Sequence, residues 1–331
     1  MKVVVWQSAF LGDLILATNF LDNLLRNLPS AKVLLVARPF AVELLRGFHP
    51  NLEVLPLEKT LRGTLEAVRA ARGADLAFGL QRGARTSLAL FMTGAKRRVG
   101  FDRAELSFLY TDRVPHRWGL HEVERNHQLL RAVGLRVYGD RLRLPVDADL
   151  LRKVRERFGL PPRFVLVSPG ANFEPKRWAP ENFAEVVRKL LKRGVGVVLS
   201  GSAADRRAAE EVLASLGSAE GVWNLTGKTS VREFVHLIAA AEAVLANDSA
   251  PVHAAEAVQT PVLTVYCATD PYYGFYPRSG VYLVPRNLDC HPCKPNPKVC
   301  KTGTYACRFS VSPQEVFDRL WDLLGKKRVA D

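Results

Sequence analysis

The sequence predicts an α/β protein built from two Rossmann-like domains that face each other across a cleft. Short apolar runs rich in β-branched residues alternate with amphipathic helical patterns along the chain. The alternation breaks once, over residues 135–149, and then resumes. A chain of 331 residues also has the length for two domains of about 150 residues each. We therefore expect an N-terminal domain over residues 1–146 and a C-terminal domain over 147–331, with the last helix a candidate to pack back on the first domain.

The individual elements follow from hydrophobic periodicity and from capping signals. Ser230 with Glu233, and Ser312 with Glu315, are capping pairs that predict the start of two helices. In the first half, we predict strands over 3–6, 33–37, 52–57 and 74–80, and helices over 14–28, 41–48, 61–71 and 86–92. In the second half, we predict strands over 164–168, 195–200, 243–246 and 262–266, and helices over 182–191, 205–216, 230–241 and from 312 onward.

Composition and charge narrow the classes of partner. The net charge of +14 indicates an anionic partner, such as a phosphorylated substrate or an anionic membrane surface. No aromatic and basic platform or known motif supports nucleic acid. There is no apolar run of about 18 residues, and the first residues lack the features of a secretory signal. We therefore expect a cytoplasmic protein.

Two loops contain candidate catalytic or binding residues, and each follows the first predicted strand of its half. Gly12 would allow a tight turn that leaves Asp13 at a helix N-terminus, where the alternative role is simple capping. The long loop over 168–178 ends in Lys176 and Arg177, two adjacent cations that suit a diphosphate. A solvated basic loop is the alternative for this second segment.

Two further loops follow strands of the second half. Asp248 and Ser249 precede a predicted helix with Pro251 in its first turn, and free helix N–H groups favour anions. His253 lies one turn further on, and its alternative is a core histidine. Ser202 follows another strand, where capping is the commoner role. All these loops fall at the carboxyl edges of the two predicted sheets, where open α/β folds bind ligands.

The ordered set of motifs resembles the lipopolysaccharide heptosyltransferases of glycosyltransferase family 9, over nearly the whole chain. The segments that carry the resemblance are 11–13, 81–87, 169–178, 225–229 and 247–255. It implies a glycosyltransferase-B fold and transfer from an ADP-activated heptose with inversion to an inner-core acceptor, a lipid-anchored phosphorylated oligosaccharide. Two departures are Ala250, where the family often has glycine, and Gln7 and Ser8, where it often has an arginine.

The resemblance also implies roles for individual residues. Asp13 is the expected catalytic base, and Lys176 is expected to bind phosphate and to assist catalysis. The expected donor-binding residues are Ser168, Lys176, Arg177, Ser202, Thr226, Asp248, Ser249, Ala250 and His253. The expected acceptor-binding residues are Ser8, Gly12, Arg82 and Arg85. Lys176 and the N–H groups near Ser249 would stabilise the leaving diphosphate, and we expect neither an Asp-x-Asp metal motif nor any cofactor required for catalysis.

Four cysteines cluster near the end of the chain, at positions 290, 293, 300 and 307. Cys290 and Cys293 have the spacing of a zinc knuckle, whereas Cys300 and Cys307 are spaced less typically. A structural zinc, disulfides and free thiols are all compatible with this segment.

Two other functions share these features. A nucleotide-sugar 2-epimerase would need only the sugar nucleotide, and a non-catalytic protein that binds phosphorylated glycolipid would tolerate loss of Asp13.

We also expect weak contact with an anionic membrane surface, peripheral at the inner membrane face. The residues predicted for this contact are Arg82, Arg85, Lys96, Arg97, Arg98 and Arg103.

Overall fold

The structure is a computed structural model that describes residues 1–330, with side chains described through residue 325. The chain divides into two compact units, Met1–Pro145 and a second that begins at Val146. The boundary lies one residue before the position predicted from the sequence. Within the described residues, no helix is long and apolar enough to cross a membrane.

The first unit is a six-stranded parallel sheet in the order β3-β2-β1-β4-β5-β6, with helices in the connections. Val3–Trp6 of the central strand is completely buried, as expected for a parallel strand covered on both faces. The strands are β1 Lys2–Gln7, β2 Lys32–Ala37, β3 Leu52–Pro56, β4 Leu76–Gly79, β5 Arg97–Phe101 and β6 Asp112–Val114, and the helices are α1 Leu11–Asn27, α2 Phe40–Leu44, α3 Leu61–Ala71, α4 Ala84–Met92 and α5 Glu122–Arg131.

The second unit repeats this plan with the order β12-β11-β10-β7-β8-β9. Its central strand β7 is buried along its whole length, and the predicted capping box of Ser230 and Glu233 opens α9. The strands are β7 Phe164–Ser168, β8 Gly196–Leu199, β9 Val222–Asn224, β10 Ala243–Asn247, β11 Val262–Val265 and β12 Val281–Leu283, and the helices are α6 Ala148–Phe158, α7 Pro180–Leu191, α8 Arg206–Leu216, α9 Val231–Ala240, α10 Ala250–Ala257, α11 Cys307–Ser310 and α12 Pro313–Ala330.

The last helix belongs to the second unit. Ser312 caps α12 as predicted, because its hydroxyl accepts a hydrogen bond from the Glu315 N–H at 3.1 Å. Through Leu324, the apolar face of α12 joins the core of the second unit. Packing of this helix against the first domain stays a prediction.

Seven elements were not predicted from the sequence, and each has a local reason. Helix α11 has only four residues. Strands β6, β9 and β12 are only three residues long and lie at or near a sheet edge. Strand β5 begins with two arginines, and α5 buries charged residues that obscure its periodicity. Helix α6 begins within the irregular segment 135–149, which hides its start in the sequence.

The chain does contain one Asp-x-Asp sequence, Asp147-Ala148-Asp149, which corrects our expectation of none. Asp147 caps α6 by accepting hydrogen bonds from the N–H groups of Asp149 and Leu150. Asp149 pairs with Arg152 and Lys153 on the surface of that helix. Because these carboxylates cap and brace a helix that precedes the first strand of the second sheet, they do not form a diphosphate loop after a strand.

Candidate functional site

Both sheets have the strand order 3-2-1-4-5-6 when the strands of each unit are numbered from its start. In this order the chain leaves the first and fourth strands in opposite directions, and the crevice between their carboxyl ends is where such folds bind ligands. The relevant loops follow β1 and β4 in the first unit, and β7 and β10 in the second. All the predicted catalytic and phosphate-binding residues lie on these four loops.

In the second unit, the side chain of Asn247 fastens one loop to the other. Its amide nitrogen donates to the carbonyl of Pro169 at 2.8 Å, and its oxygen accepts from the Trp178 N–H at 2.9 Å. Asn247 is completely buried at the end of β10, and Trp178 is buried in the core. The loop over 169–178 is therefore held at both ends against β10, which fixes the position of Lys176 between them.

Lys176 and Asp248 form a mostly buried ion pair at this crevice. The Lys176 Nζ lies 2.6 Å from Asp248 Oδ2, and the two side chains are 15% and 9% exposed. The same carboxylate oxygen accepts from the hydroxyl of Thr269 at 2.7 Å. An ammonium group has three donors, so Lys176 can keep Asp248 and still donate to a bound phosphate.

Helix α10 begins immediately after this pair. Ser249 is its N-cap residue in extended conformation, and Pro251 lies in the first turn, as predicted. The Ser249 hydroxyl donates to the Asn247 carbonyl at 3.2 Å rather than capping the helix. Ala250 is the first helical residue, where no left-handed backbone is needed. An alanine in place of the family's glycine is therefore accommodated, and the helix N-terminus retains an anion-binding geometry.

His253 has a buried carboxylate neighbour that sequence reasoning missed. His253 Nδ1 lies 4.0 Å from Glu256 Oε2, and both atoms are buried and have no hydrogen-bond partner among the described residues. The other oxygen, Glu256 Oε1, accepts from the N–H groups of Arg278 and Ser279 at 2.6 and 2.9 Å. Burial acts to raise the pKa of Glu256, but these N–H groups and the nearby imidazole outweigh it and lower the pKa. The sequence does contain a signal for this pair, because Glu256 lies three residues after His253 on the same helix.

The other predicted donor residues line the same edge with different contacts. The hydroxyl and the N–H of Ser202 both donate to the Asp205 carboxylate, at 2.7 and 2.9 Å, which accords with the capping alternative. Arg177 reaches the Ala171 carbonyl, and Ser168 is buried at the end of β7. The hydroxyls of Thr226 and Ser200 are both buried, and neither has a hydrogen-bond partner within the described residues. An unpaired buried hydroxyl is costly, and a ligand group could satisfy it.

In the first unit, Ser8 joins the two crevice loops. Its N–H and its hydroxyl both donate to Gln81 Oε1, at 2.9 and 2.7 Å. Asp13 lies in the first turn of α1, at the carboxyl end of β1. Gly12 is a helical residue of that turn, so the tight turn that we expected there is absent. The predicted acceptor residue Ser8 thus holds the loop that carries Asp13.

Four cations surround this edge, and sequence reasoning found only two of them. Arg38 follows β2, Lys59 follows β3, and Arg82 and Arg85 follow β4. None of the four forms an ion pair in the part of the chain that the structure describes. Burial lowers the pKa of Lys59, and the charges of Arg38 and Arg85 lower it further, whereas Asp13 acts to raise it. These groups are therefore close enough to share one electrostatic field around Asp13.

Arg82 is held by an aromatic ring rather than by a carboxylate. Its guanidinium lies 5.1 Å from the centre of the Trp118 ring, and that of Arg125 lies 5.4 Å from the same ring. Arg125 pairs with the buried Glu122 at 2.7 Å. Burial raises the pKa of Glu122, and the neighbouring Asp13 acts in the same direction. Burial lowers the pKa of His116, which packs on Trp118, to about 4, and the nearby arginines contribute.

The cysteine segment packs behind the loops of the second unit. Cys290, Cys293, Cys300 and Cys307 line one cavity together with Pro175 and Ala268. All are free thiols, and within the described residues no three His, Cys, Asp or Glu side chains form a group that could hold a metal ion as it stands. The Cys293 N–H donates to the Ala268 carbonyl, and the Ala268 N–H donates to that of Pro175. The segment therefore braces the residues next to Lys176 and Thr269, whatever the state of its thiols.

Comparisons with known proteins agree with this arrangement. A model of glycosyltransferase family 9 (heptosyltransferase) matches residues 65–302. Lipopolysaccharide heptosyltransferase 2 of Escherichia coli is 29% identical over 294 residues, which cover 82% of this chain and 84% of that protein. The enzyme of the same name from Salmonella typhimurium is 35% identical over 164 residues, about half of each chain.

The fold has a close counterpart among solved structures. The structure of E. coli ADP-heptose lps heptosyltransferase II matches with a TM-score of 0.81 and 23% identity, covering 99% of this chain and 100% of that one. At this level of identity the match establishes the fold, which is that of glycosyltransferase-B enzymes. Because the family model spans more than two thirds of its length, this chain belongs to glycosyltransferase family 9 (heptosyltransferase) and is a glycosyltransferase.

Proposed function

We propose that this enzyme transfers heptose from ADP-heptose to an inner-core acceptor of lipopolysaccharide, with inversion at the anomeric carbon. The observation that carries the proposal is the buried Lys176–Asp248 pair beside the start of α10. A cation next to a helix N-terminus at a strand crossover suits a sugar-nucleotide diphosphate. Two E. coli relatives, one named lipopolysaccharide heptosyltransferase 2 and the other ADP-heptose lps heptosyltransferase II, support the same donor and acceptor.

In the proposed reaction, Asp13 takes the proton from the acceptor hydroxyl as its oxygen attacks the anomeric carbon. The bond from that carbon to the diphosphate oxygen breaks on the opposite face, so a single displacement inverts the configuration. A sugar hydroxyl is a poor nucleophile, and a placed carboxylate base assists it.

The leaving ADP gains negative charge at its diphosphate as the bond breaks. Lys176 and the first N–H groups of α10 would stabilise that charge without moving. Asp248 keeps the ammonium in place, and His253 lies on the same helix one turn further on. We propose that these groups make a cofactor unnecessary, so transfer is expected to continue in the presence of a divalent-metal chelator.

On the acceptor side, we propose that Arg82 and Arg85, together with Arg38 and Lys59, bind the anionic groups of a phosphorylated, lipid-anchored oligosaccharide. Cations without carboxylate partners repel one another, and an anion relieves that repulsion. Such an acceptor would bring the enzyme to an anionic membrane surface, where we expect weak, salt-sensitive contact.

The structural zinc at the cysteine segment stays a prediction, and metal analysis of the purified protein tests it.

A donor and acceptor screen tests the proposal against its alternatives. ADP-, UDP- and GDP-sugars are compared by thermal shift, since a ligand that binds only the folded state raises the melting temperature. ADP-heptose is then incubated with heptose-deficient lipopolysaccharide, and the anomeric configuration of the product is determined by NMR. Conversion of the donor sugar without acceptor would indicate an epimerase, and binding without turnover would indicate a glycolipid-binding protein. Retention of configuration would contradict single displacement.

A further inference from the structure

Helix α4 presents apolar side chains to solvent as well as to the core. Ala89 and Leu90 pack inside the first unit, whereas Leu88, Phe91 and Met92 lie on the outer face. Leu106 and Phe108, in the segment after β5, extend this outer face. The five exposed residues, which we call the α4 apolar surface, are 38% to 71% exposed. A helix that is apolar all round is normally covered on every side, so this surface calls for a partner.

The two segments of the α4 apolar surface are joined by side-chain contacts. The Ser87 hydroxyl of α4 donates to the Glu105 carbonyl at 2.6 Å. Arg98 donates to the Leu109 carbonyl at 2.9 Å, and its guanidinium lies 5.6 Å from the centre of the Phe91 ring. Leu106 is held exposed in a left-handed conformation, with φ of 57°, which non-glycine residues adopt at a cost. The surface is thus one preformed, continuous feature.

Positive charge borders this surface. Residues 82–108 include six arginines or lysines and only two acidic residues, Asp102 and Glu105. Those two carboxylates accept hydrogen bonds from the N–H groups of His116 and Ala84. Arg85 and Arg103 are exposed and form no ion pair among the described residues. By contrast, Lys96 pairs with Asp75 and Arg97 with Asp112. Of the six cations predicted for membrane contact, these two are therefore less available to an anionic partner.

We propose that the α4 apolar surface docks on an anionic lipid bilayer, with Phe91 and Phe108 in the headgroup region and Arg85 and Arg103 against lipid phosphates. Exposed apolar side chains flanked by cations bind interfaces through buried apolar area and charge attraction together. A second copy of this chain is a poorer occupant, because a symmetric contact would bring identical cations together. The inference rests on the proposed lipid-anchored acceptor, since Arg82 and Arg85 stand at the start of the same helix.

Vesicle co-sedimentation tests this surface. The intact enzyme is mixed with phosphatidylglycerol-rich vesicles and with phosphatidylcholine vesicles. We expect binding to the anionic vesicles at low salt, and its loss at moderate salt as charges are screened. The double variant Phe91→Ser with Phe108→Ser should bind about tenfold more weakly even at low salt. Phe309→Ser, which replaces an exposed phenylalanine of the second unit, is the matched control and should bind as the wild type does.

A second pair of variants separates charge from apolar contact. Arg85→Gln with Arg103→Gln should weaken anionic binding more than Lys96→Gln with Arg97→Gln, because the latter pair already has carboxylate partners. The double phenylalanine variant should also keep normal turnover with a delipidated acceptor. Loss of that turnover would assign the surface to the acceptor site instead, and a failure of all donor turnover in the wild type would refute the proposed function but leave vesicle binding measurable.

Three outcomes would overturn the inference. One is wild-type enzyme that fails to sediment with anionic vesicles at low salt. Another is a double phenylalanine variant that binds like the wild type. The third is a concentration-dependent dimer of the wild type, seen by light scattering and abolished by the same double substitution, which would assign the surface to a second copy.

Discussion

The two units share one strand order, but they treat their charges in opposite ways. In the second unit, the cation at the crevice is paired, since Lys176 lies 2.6 Å from Asp248 and both are largely buried. In the first unit, Arg38, Lys59 and Arg85 have no carboxylate partner within the described residues, and burial and mutual repulsion lower the pKa of Lys59. The crevice cation of the second unit is therefore fixed by its partner, whereas these three cations of the first unit have no such carboxylate within the described residues.

This difference indicates what each crevice is built to bind. A fixed, hydrogen-bonded cation beside a helix N-terminus is preorganised, so it can recognise a diphosphate of constant geometry without reorganising. Unpaired cations on several loops set no single geometry, and they suit a larger acceptor whose anionic groups are spread out. Substitutions of the Lys176–Asp248 pair should therefore affect stability and donor binding together, whereas substitutions of the first-unit cations should affect transfer or acceptor binding with little effect on stability.

The largest effect should come from Asp13. Asp13→Asn removes the proposed base but keeps the size of the side chain, and we expect kcat to fall by about 10²–10⁴-fold. ADP binding, measured by calorimetry, should be unchanged, because the donor groups lie on the second unit. Near-normal turnover of Asp13→Asn with its acceptor would show that another group takes the proton.

Breaking the Lys176–Asp248 pair should affect folding as well as donor binding. Within the described residues, Lys176→Met leaves the buried Asp248 with only Thr269 as a side-chain partner, and removing one member of a buried pair costs about 3–5 kcal/mol. Adding Asp248→Asn should recover part of the lost melting temperature but not ADP affinity. Full recovery of ADP affinity in the double variant would show that Lys176 does not contact the donor.

Two substitutions of Glu256 should separate its role as a hydrogen-bond acceptor from the effect of its negative charge. Glu256→Ala leaves the N–H groups of Arg278 and Ser279 without their acceptor and should lower stability by about 1–3 kcal/mol. Glu256→Gln retains an oxygen for them, so its melting temperature should stay near that of the wild type. It removes the charge opposite His253, however, and should raise the KM for ADP-heptose by about tenfold, which corresponds to about 1.4 kcal/mol. Equal KM values for Glu256→Gln and the wild type would contradict a link between this pair and the donor.

The smallest effect should be the pH dependence that arises from Lys59. Because its pKa is lowered, Lys59 loses its proton at a lower pH than an ordinary lysine, so acceptor affinity should fall as the pH rises into the alkaline range. Lys59→Arg keeps the charge and should move that fall to higher pH, whereas Lys59→Gln should weaken acceptor binding about fivefold at neutral pH. Arg62→Gln, which breaks an exposed pair with Glu66, is the control. Identical pH profiles for the wild type and Lys59→Arg would remove Lys59 from the acceptor site.

The amino-acid sequence by itself determined the repeated α/β alternation, the approximate boundary of the two units and three of the four crevice loops, those after β1, β7 and β10. These features follow from local patterns: β-branched runs mark buried strands, and polar, glycine or proline residues mark the loops after them. The helix over residues 61–71 and the strand over 164–168 have the predicted bounds, and the Ser230 and Ser312 caps form as predicted. Asp13, Lys176 and Asp248 were found because each lies after a strongly apolar strand and before or within the first turn of the next helix.

Only the tertiary structure decided which of these residues are neighbours. The hydrogen bonds of Ser8 to Gln81 join positions 73 residues apart, and the Lys176–Asp248 pair joins positions 72 residues apart. No local pattern encodes such a contact, because it depends on strand order in the sheet. Arg38 and Lys59 were missed because each is an unremarkable loop cation until β2 and β3 are placed beside β1. Likewise, the α4 apolar surface cannot be told from a core-facing stripe in the sequence, since burial is a property of the packed helix and not of its residues.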